Sequence, residues 1–152
     1  MRLTKLGHVL LAVRNLARAR DFYVGVLGFR VLEADPDHGG VFLTLGEGSH
    51  VVDLVPVGGD DPVLPESLAD FVARPGVGHV AFQVASAEDL RAAYRELDAA
   101  GVRVFAAVDH ESQESIYFCD PEANLLEIYW ERPNAREIFR TGRKDQDRLI
   151  TL

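Results

Sequence analysis

Apolar and polar residues along the chain alternate with the period of a strand, then of a helix, then of strands again. An apolar run at 8–13 is short and bounded by turn-forming residues, which is typical of a buried strand. Four apolar residues follow at helical spacing: Leu16, Ala19, Tyr23 and Val26. We expect Asn15 to cap this helix and Gly28 to end it. Three further strands are predicted, at 29–32, 41–45 and 51–57.

The second half of the chain repeats this order of elements. A strand is predicted at 79–84, and Ser86 with Asp89 forms a capping box for the helix that follows. The apolar stripe of this helix is Leu90, Ala93, Tyr94 and Leu97. Gly101 is expected to end the helix, and strands follow at 104–107, 116–119 and 125–130. Each half therefore predicts a β-α-β-β-β module.

Matching motifs indicate that the two halves arose by duplication. Gly7-His8-Val9 returns as Gly78-His79-Val80, and Val51-Val52-Asp53-Leu54 lies over Leu125-Leu126-Glu127-Ile128. We therefore expect an α+β fold in which modules at 1–57 and 77–132 form one domain. A linker at 58–76, with a short helix around 67–73, would join them. A charged tail at 133–152, to which we assign no chemistry, would follow.

Composition limits the class of protein. A chain of 152 residues suits one domain, and its net charge of −8 argues against a nucleic-acid surface. The single cysteine, Cys119, excludes an internal disulfide. No apolar run reaches the roughly 18 residues of a membrane span, and residues 1–7 lack a signal-peptide pattern. A cytoplasmic protein is expected.

The repeated histidines and acids indicate a metal site. Because alternate side chains of a strand face opposite ways, His8, His79 and Glu127 can all lie on the face away from the helices. Two imidazoles and one carboxylate with open positions suit Fe(II) or a similar divalent ion. A histidine at the start of one strand is, by itself, more often structural. A carboxylate between Leu126 and Ile128, however, would be costly to bury without a partner or a metal.

The paired modules, the strand-initial histidines and the terminal acid resemble the vicinal oxygen chelate superfamily. This group includes glyoxalase I, fosfomycin and bleomycin resistance proteins, methylmalonyl-CoA epimerase and extradiol dioxygenases. The resemblance covers about residues 5–132. It implies curved mixed sheets around a central metal-binding cleft, with His8, His79 and Glu127 as ligands. It also implies a homodimer, in which the site can join His8 of one chain to His79 of another.

A second motif resembles the final segment of the extradiol (catechol 2,3-) dioxygenases. It comprises Asp109-His110, Ser115-Ile116-Tyr117-Phe118, Asp120-Pro121, Asn124 and Glu127. Tyr117 precedes Glu127 by ten residues, as in that family. The resemblance implies Fe(II)-dependent cleavage of a catechol-like diol by dioxygen, with Tyr117 hydrogen-bonding a substrate oxygen and His110 supplying a proton. From the residues alone, His110 is equally consistent with a solvated loop residue and Tyr117 with a core aromatic.

The chain departs from the extradiol pattern at two positions. The family usually carries an acid–base histidine directly before an Asp in the strand expected at 51–57. Val52 stands there, so His50 is the nearest candidate for that role. Ala123 replaces the glycine of an Asp-Pro-x-Gly-Asn turn. Either the turn differs, or Ala123 adopts a positive φ at an energetic cost.

Two other functions remain open. Asp53, the repeat-mate of Glu127, is a candidate fourth ligand, as in glyoxalase I and the epimerases. The metal, then Ni, Zn, Co or Mn, would act as a Lewis acid in a lyase or isomerase. Alternatively, the chain is a metal-free resistance protein whose acidic surface attracts a cationic drug.

Overall fold

The computed structural model describes residues 1–71, 76–143 and 147–152. The chain divides into two compact units, Met1–Val63 and Leu64–Leu152. None of the helices in these ranges is long and apolar enough to span a bilayer.

The first unit is a βαβββ module with one mixed four-stranded sheet. Its elements are β1 (Val9–Val13), α1 (Leu16–Gly25), β2 (Arg30–Ala34), β3 (Val41–Thr44) and β4 (Val52–Pro56). The strand order is β1-β4-β3-β2; β1 and β4 are parallel, whereas the other pairs are antiparallel. The predicted order of elements is therefore confirmed.

Helix α1 begins at a side-chain cap and ends earlier than predicted. The Asn15 carboxamide oxygen accepts a hydrogen bond from the Arg18 backbone N–H at 3.0 Å, which confirms the cap. The last helical residue is Gly25, and one irregular turn separates it from Gly28. Gly28 has φ +74° and leads the chain towards β2. Ala19 and Tyr23 are fully buried, so the predicted apolar stripe faces the core of this unit.

The second unit contains the second βαβββ module and additional elements at both ends. A 3-10 helix (Leu68–Asp70) comes first. The remaining elements are β5 (Val80–Val84), α2 (Ala87–Ala99), β6 (Val104–Asp109), β7 (Gln113–Cys119), β8 (Leu125–Glu131), α3 (Ala135–Thr141) and β9 (Arg148–Leu149). The sheet order is β5-β8-β7-β6-β9, with β5 and β8 parallel. Of the short helix expected at 67–73, residues 68–70 are confirmed and 72–73 lie outside the described residues.

Local signals at both ends of α2 match the sequence prediction. The Asp89 backbone N–H donates to the Ser86 hydroxyl at 3.1 Å, and that hydroxyl donates to the Asp89 carboxylate at 2.7 Å. At the other end Gly101 has φ +71°, and the Val102 N–H bonds to the Leu97 carbonyl at 2.9 Å. This is the Schellman arrangement, which favours glycine because a left-handed residue must follow the helix.

Strands β6 and β7 extend further into polar sequence than the apolar pattern predicts. Arg132 donates to Asp109 Oδ1 at 3.0 Å and to Glu114 Oε1 at 2.7 Å. Burial raises the pKa of Asp109, but the hydrogen bonds from Arg132 and the Glu111 backbone, together with the nearby positive charges, leave that pKa below its ordinary value. The charges at these strand ends are thus paired, which lets the hydrogen-bonded ladder continue past the apolar residues.

The C-terminal segment is folded onto this sheet. Strand β9 pairs antiparallel with β6, with Val108 opposite Leu149 and Asp109 opposite Arg148. The charged tail expected at 133–152 therefore contains a helix and a fifth strand; its residues 144–146 lie outside the described residues.

The two modules place their histidines and acids at equivalent positions. In the first unit Leu10 on β1 pairs with Asp53 on β4, and in the second Ala81 on β5 pairs with Glu127 on β8. Each histidine, His8 or His79, stands two residues before the residue paired with the acid. Because side chains two apart in a strand share a face, each histidine is directed to the same side as its acid.

Candidate metal and catalytic centre

Glu127 and His79 form a close pair in the second unit. Glu127 is 2% exposed on the central strand β8, and its Oε2 lies 2.8 Å from His79 Nε2. His79 is partly exposed, at the start of the parallel neighbour strand β5. A carboxylate this deeply buried needs compensation, and the imidazole supplies part of it.

Two side chains on β7 hold the other carboxylate oxygen. The Ser115 hydroxyl donates to Glu127 Oε1 at 2.5 Å, and the Gln113 side-chain amide donates to the same oxygen at 2.9 Å. These contacts fix the plane of the carboxylate and leave Oε2 for His79. The sequence motif contains Ser115 without a role and leaves Gln113 out, although alternation along a strand ending at Cys119 puts residues 113, 115 and 117 on one face.

Tyr117 and His110 lie beside this pair. Tyr117 is the cross-strand partner of Glu127, and its ring meets that of His79 edge-on, with the centroids 5.8 Å apart. Its Oη is 2.9 Å from His110 Nε2, and His110 Nδ1 is 2.8 Å from Asp147 Oδ1. Burial, together with the negative charge of Glu127, raises the pKa of Tyr117 above its ordinary value. The side chain therefore remains a neutral phenol that can donate a hydrogen bond.

A second group of candidate ligands lies in the first unit. His8 Nε2 is 3.6 Å from Asp53 Oδ2, and His50 Nε2 is 3.5 Å from Asp53 Oδ1. The two imidazole rings are 4.5 Å apart between centroids, and the ring of Phe42 lies 5.1 Å from that of His50. Asp53 is 5% exposed, so it does not turn out to solvent.

The donor set of this group suits a divalent cation. One ligand atom from each of His8, His50 and Asp53 lies within 4.8 Å of the others, and no other such group occurs within the described ranges. Asp53 Oδ1 is buried and has no hydrogen-bond partner among the described residues. A buried carboxylate oxygen of this kind is costly unless a cation compensates it. Two imidazoles and a carboxylate are also the ligands of non-haem divalent metal sites.

The predicted site residues thus fall into two sets. His8, His50 and Asp53 lie together in the first unit, whereas His79, Glu127, Tyr117 and His110 lie together in the second. The predicted ligand set of His8, His79 and Glu127 takes residues from both units and stays a prediction.

The loop between β7 and β8 keeps its turn despite the missing glycine. Ala123 has φ +63°, so the second alternative, a left-handed non-glycine residue, is the correct one. The turn is held by Asp120, which is buried and accepts the backbone N–H groups of Glu122 at 2.9 Å and Asn124 at 2.8 Å. These bonds offset the strain at Ala123 and fix the start of β8, the strand that carries Glu127.

Two dioxygenases, by name, are among the proteins similar to this chain. A catechol-2,3-dioxygenase of Bacillus subtilis (strain 168) is 28% identical over 132 residues, which cover 87% of this chain and 43% of that protein. A biphenyl-2,3-diol 1,2-dioxygenase 3 of Rhodococcus globerulus is 33% identical over 125 residues, which cover 82% of this chain and 62% of that protein. The chain therefore spans about half the length of these relatives.

The fold likeness extends along most of the chain. The crystal structure of a glyoxylase/bleomycin resistance protein/dioxygenase domain from Frankia sp. EAN1pec superposes with a TM-score of 0.69 at 25% identity, covering 86% of this chain and 100% of that one. Residues 5–128 match the family described as "Glyoxalase/Bleomycin resistance protein/Dioxygenase superfamily". The repeated modules, their His–acid pairs and this match lead to one conclusion: the chain belongs to the glyoxalase/bleomycin resistance protein/dioxygenase superfamily.

Proposed function

We propose that the chain is an extradiol-type dioxygenase that cleaves the aromatic ring of a catechol-like diol. The observation that carries the proposal is the hydrogen bond between Tyr117 Oη and His110 Nε2 beside the His79–Glu127 pair. A phenol and an imidazole next to a buried His–carboxylate pair combine a proton donor and acceptor with metal-binding groups. The two similar proteins named above, both dioxygenases of aromatic diols by name, support the same reaction class.

His8, His79 and Glu127 are the proposed ligands of Fe(II). Glu127 suits this role because its Oε1 is held by Ser115 and Gln113 while Oε2 faces His79. A bound ferrous ion would supply a common site for the diol and dioxygen and a path for electrons between them.

The remaining side chains handle protons and orientation. The single O–H of Tyr117, kept protonated by burial, donates to His110 Nε2 before substrate binds and to a substrate oxygen during turnover, so Tyr117 Oη passes a proton between the two. His50 accepts a proton from one diol hydroxyl, which leaves the substrate as an anion. The contact between His50 Nε2 and the Asp53 carboxylate, at 3.5 Å, stabilises the imidazolium formed in that step.

Asp53 favours a second candidate function. Its buried Oδ1, which accepts no hydrogen bond within the described ranges, and its proximity to His8 are what a fourth metal ligand requires. With four ligands and nickel, zinc, cobalt or manganese, the chain would act as a lyase or isomerase that transfers a proton next to a carbonyl group.

Aerobic turnover after anaerobic metal loading tests the proposal. Protein loaded with Fe(II) is mixed with a panel of catechols, and oxygen is then admitted while the visible absorbance of the ring-opened product is followed. We expect product with Fe(II) and none with Zn(II), because zinc has no redox chemistry. Fully iron-loaded protein that consumes no oxygen with any catechol would contradict the proposal. Exchange of a carbon-bound proton next to a carbonyl by the zinc or nickel form would then support the second candidate.

A further inference from the structure

A residue of the C-terminal segment contacts His110, which the proposed function gives a role in proton transfer. Asp147 Oδ1 lies 2.8 Å from His110 Nδ1, on the side of the ring opposite to Tyr117. We infer that Asp147 is a positioning residue that holds His110 in the tautomer protonated at Nδ1, so that Nε2 faces Tyr117 as an acceptor. The effect on turnover rests on the proposed function, whereas the effect on the tautomer does not.

The tautomer follows from the donors and acceptors available. An ionised carboxylate only accepts hydrogen bonds, so His110 Nδ1 must carry the proton that it shares with Asp147. A neutral imidazole has one donor and one acceptor, which makes Nε2 the acceptor. The phenol of Tyr117, 2.9 Å from Nε2, is then the donor in that bond. Asp147, His110 and Tyr117 therefore form one directed chain of hydrogen bonds.

The strand pairing explains why Asp147 reaches His110. Strand β9 runs antiparallel to β6 with Arg148 opposite Asp109, so the preceding residue, Asp147, falls opposite the following residue, His110. The Ile150 N–H bonds to the Ala107 carbonyl at 2.9 Å and extends this pairing. A two-residue strand thus sets the register that places the carboxylate.

Arg143 strengthens the same arrangement. Its Nη2 lies 3.4 Å from Asp147 Oδ1, and its Nη1 donates to the His110 carbonyl at 3.5 Å. The guanidinium therefore contacts both the carboxylate and the backbone of the histidine that the carboxylate orients. Its positive charge also favours the ionised form of Asp147, the form that can only accept.

Replacing Asp147 by Asn is the most informative change. The amide can turn its NH₂ group towards Nδ1, and this selects the opposite tautomer, in which Nε2 carries the proton. Nε2–H would then donate to Tyr117 Oη, so His110 could no longer accept the proton of the phenol. We expect turnover to fall by about 10- to 100-fold with little change in KM, because loss of a group that orients a functional histidine typically has this effect.

Nitrogen NMR of the full chain tests the tautomer directly. The protein is labelled with ¹⁵N-histidine, loaded with diamagnetic zinc and studied at pH 8, and the His110 signals are assigned by their loss in His110→Asn. We expect a protonated Nδ1 in the wild type and in Asp147→Glu, and a protonated Nε2 in Asp147→Asn. A wild type protonated at Nε2, or an Asp147→Asn protein with unchanged signals, would overturn the inference.

Kinetics form the second arm of the experiment. Asp147→Asn should lower kcat and leave KM unchanged, Asp147→Glu should restore much of kcat, and Asp60→Asn, which removes the same charge from an exposed residue, should have no effect. Equal loss in the Asn and Glu variants would contradict a positioning role. If no catechol is cleaved at all, the proposed function fails, while the NMR result still decides the tautomer.

Discussion

The imidazole of His79 lies 2.8 Å from the carboxylate of Glu127, and the first repeat contains the same relationship at longer range. There His8 lies 3.6 Å from Asp53. The strand registers of the two pairs are equivalent, so the difference has a simple cause: Asp is one methylene shorter than Glu and reaches less far across the sheet. Both modules therefore place a histidine beside a buried acid at equivalent positions, although the acid differs.

The hydroxyl of Tyr117 can be tested by removing it. Tyr117→Phe keeps the ring that packs on His79 but loses the 2.9 Å hydrogen bond to His110. We expect metal content to stay unchanged, turnover to fall about 10- to 100-fold, and the free energy of unfolding to drop by about 1 kcal/mol. Metal analysis, steady-state kinetics and urea denaturation measure the three quantities. An unchanged turnover number would limit the residue to a packing role.

Asp53→Asn separates the two candidate functions. If the ligands are His8, His79 and Glu127, the variant should retain its metal, because the isosteric amide preserves packing at this buried position. Asp21→Asn, at an exposed position on α1, is the matched control. Loss of metal from the Asp53 variant alone would make Asp53 a ligand, and the Lewis-acid function would then be preferred.

The strained turn before β8 predicts a stabilising substitution. Ala123 has φ +63°, where an L-residue costs roughly 1–2 kcal/mol and glycine does not. Ala123→Gly should therefore raise the free energy of unfolding by about 1 kcal/mol, after the entropy that glycine loses on folding is counted. Ala92→Gly, in the middle of α2, is the control and should lower it by about 0.5–1 kcal/mol. Destabilisation by both changes in urea titrations would mean that Ala123 is not strained.

Cys119 predicts a loss of stability at alkaline pH. Burial, and next the charge of Asp120, raises the pKa of this thiol from 9.0 to about 11. The folded chain therefore keeps the thiol proton where the unfolded chain has lost it. The contribution to stability is complete below about pH 9 and is lost as the pH rises towards 11.

Comparison with Cys119→Ala isolates this effect from other groups that titrate in the same range. As the pH rises from 8 to 11, the free energy of unfolding of the wild type should fall relative to that of the variant. A difference that stays constant over that range would show that the thiol has an ordinary pKa.

Much of the fold could be predicted because its signals are local. The side chains of Asn15 and Ser86 cap the helices that begin directly after them. Gly101 ends its helix because it adopts a positive φ, which glycine allows without strain. The end of α1 was misplaced because the chain makes one more turn between Gly25 and Gly28. Strand β9 could not be predicted, since two residues carry no periodicity and only its pairing with β6 defines it.

The same distinction applies to the candidate site. His79 and Glu127 were predicted together because strand alternation and the repeat both point to them. Asp147 was missed because its contact with His110 depends on a long-range strand register. The grouping of His50 with His8 likewise depends on the parallel pairing of β1 and β4. Pattern predicts which face a residue takes, but only tertiary pairing decides which distant residue it meets.

Metal content of Glu127→Ala is the most direct test of the account, because Glu127 is the proposed ligand whose orientation the structure fixes best. Wild type and variants are loaded anaerobically with Fe(II), desalted and analysed for iron per chain. Glu131→Ala, at an exposed glutamate on the same strand, is the control. We expect about one iron per chain in the wild type and the control, as a single site of this class requires, and almost none in Glu127→Ala. Stoichiometric iron retained by Glu127→Ala would contradict the account.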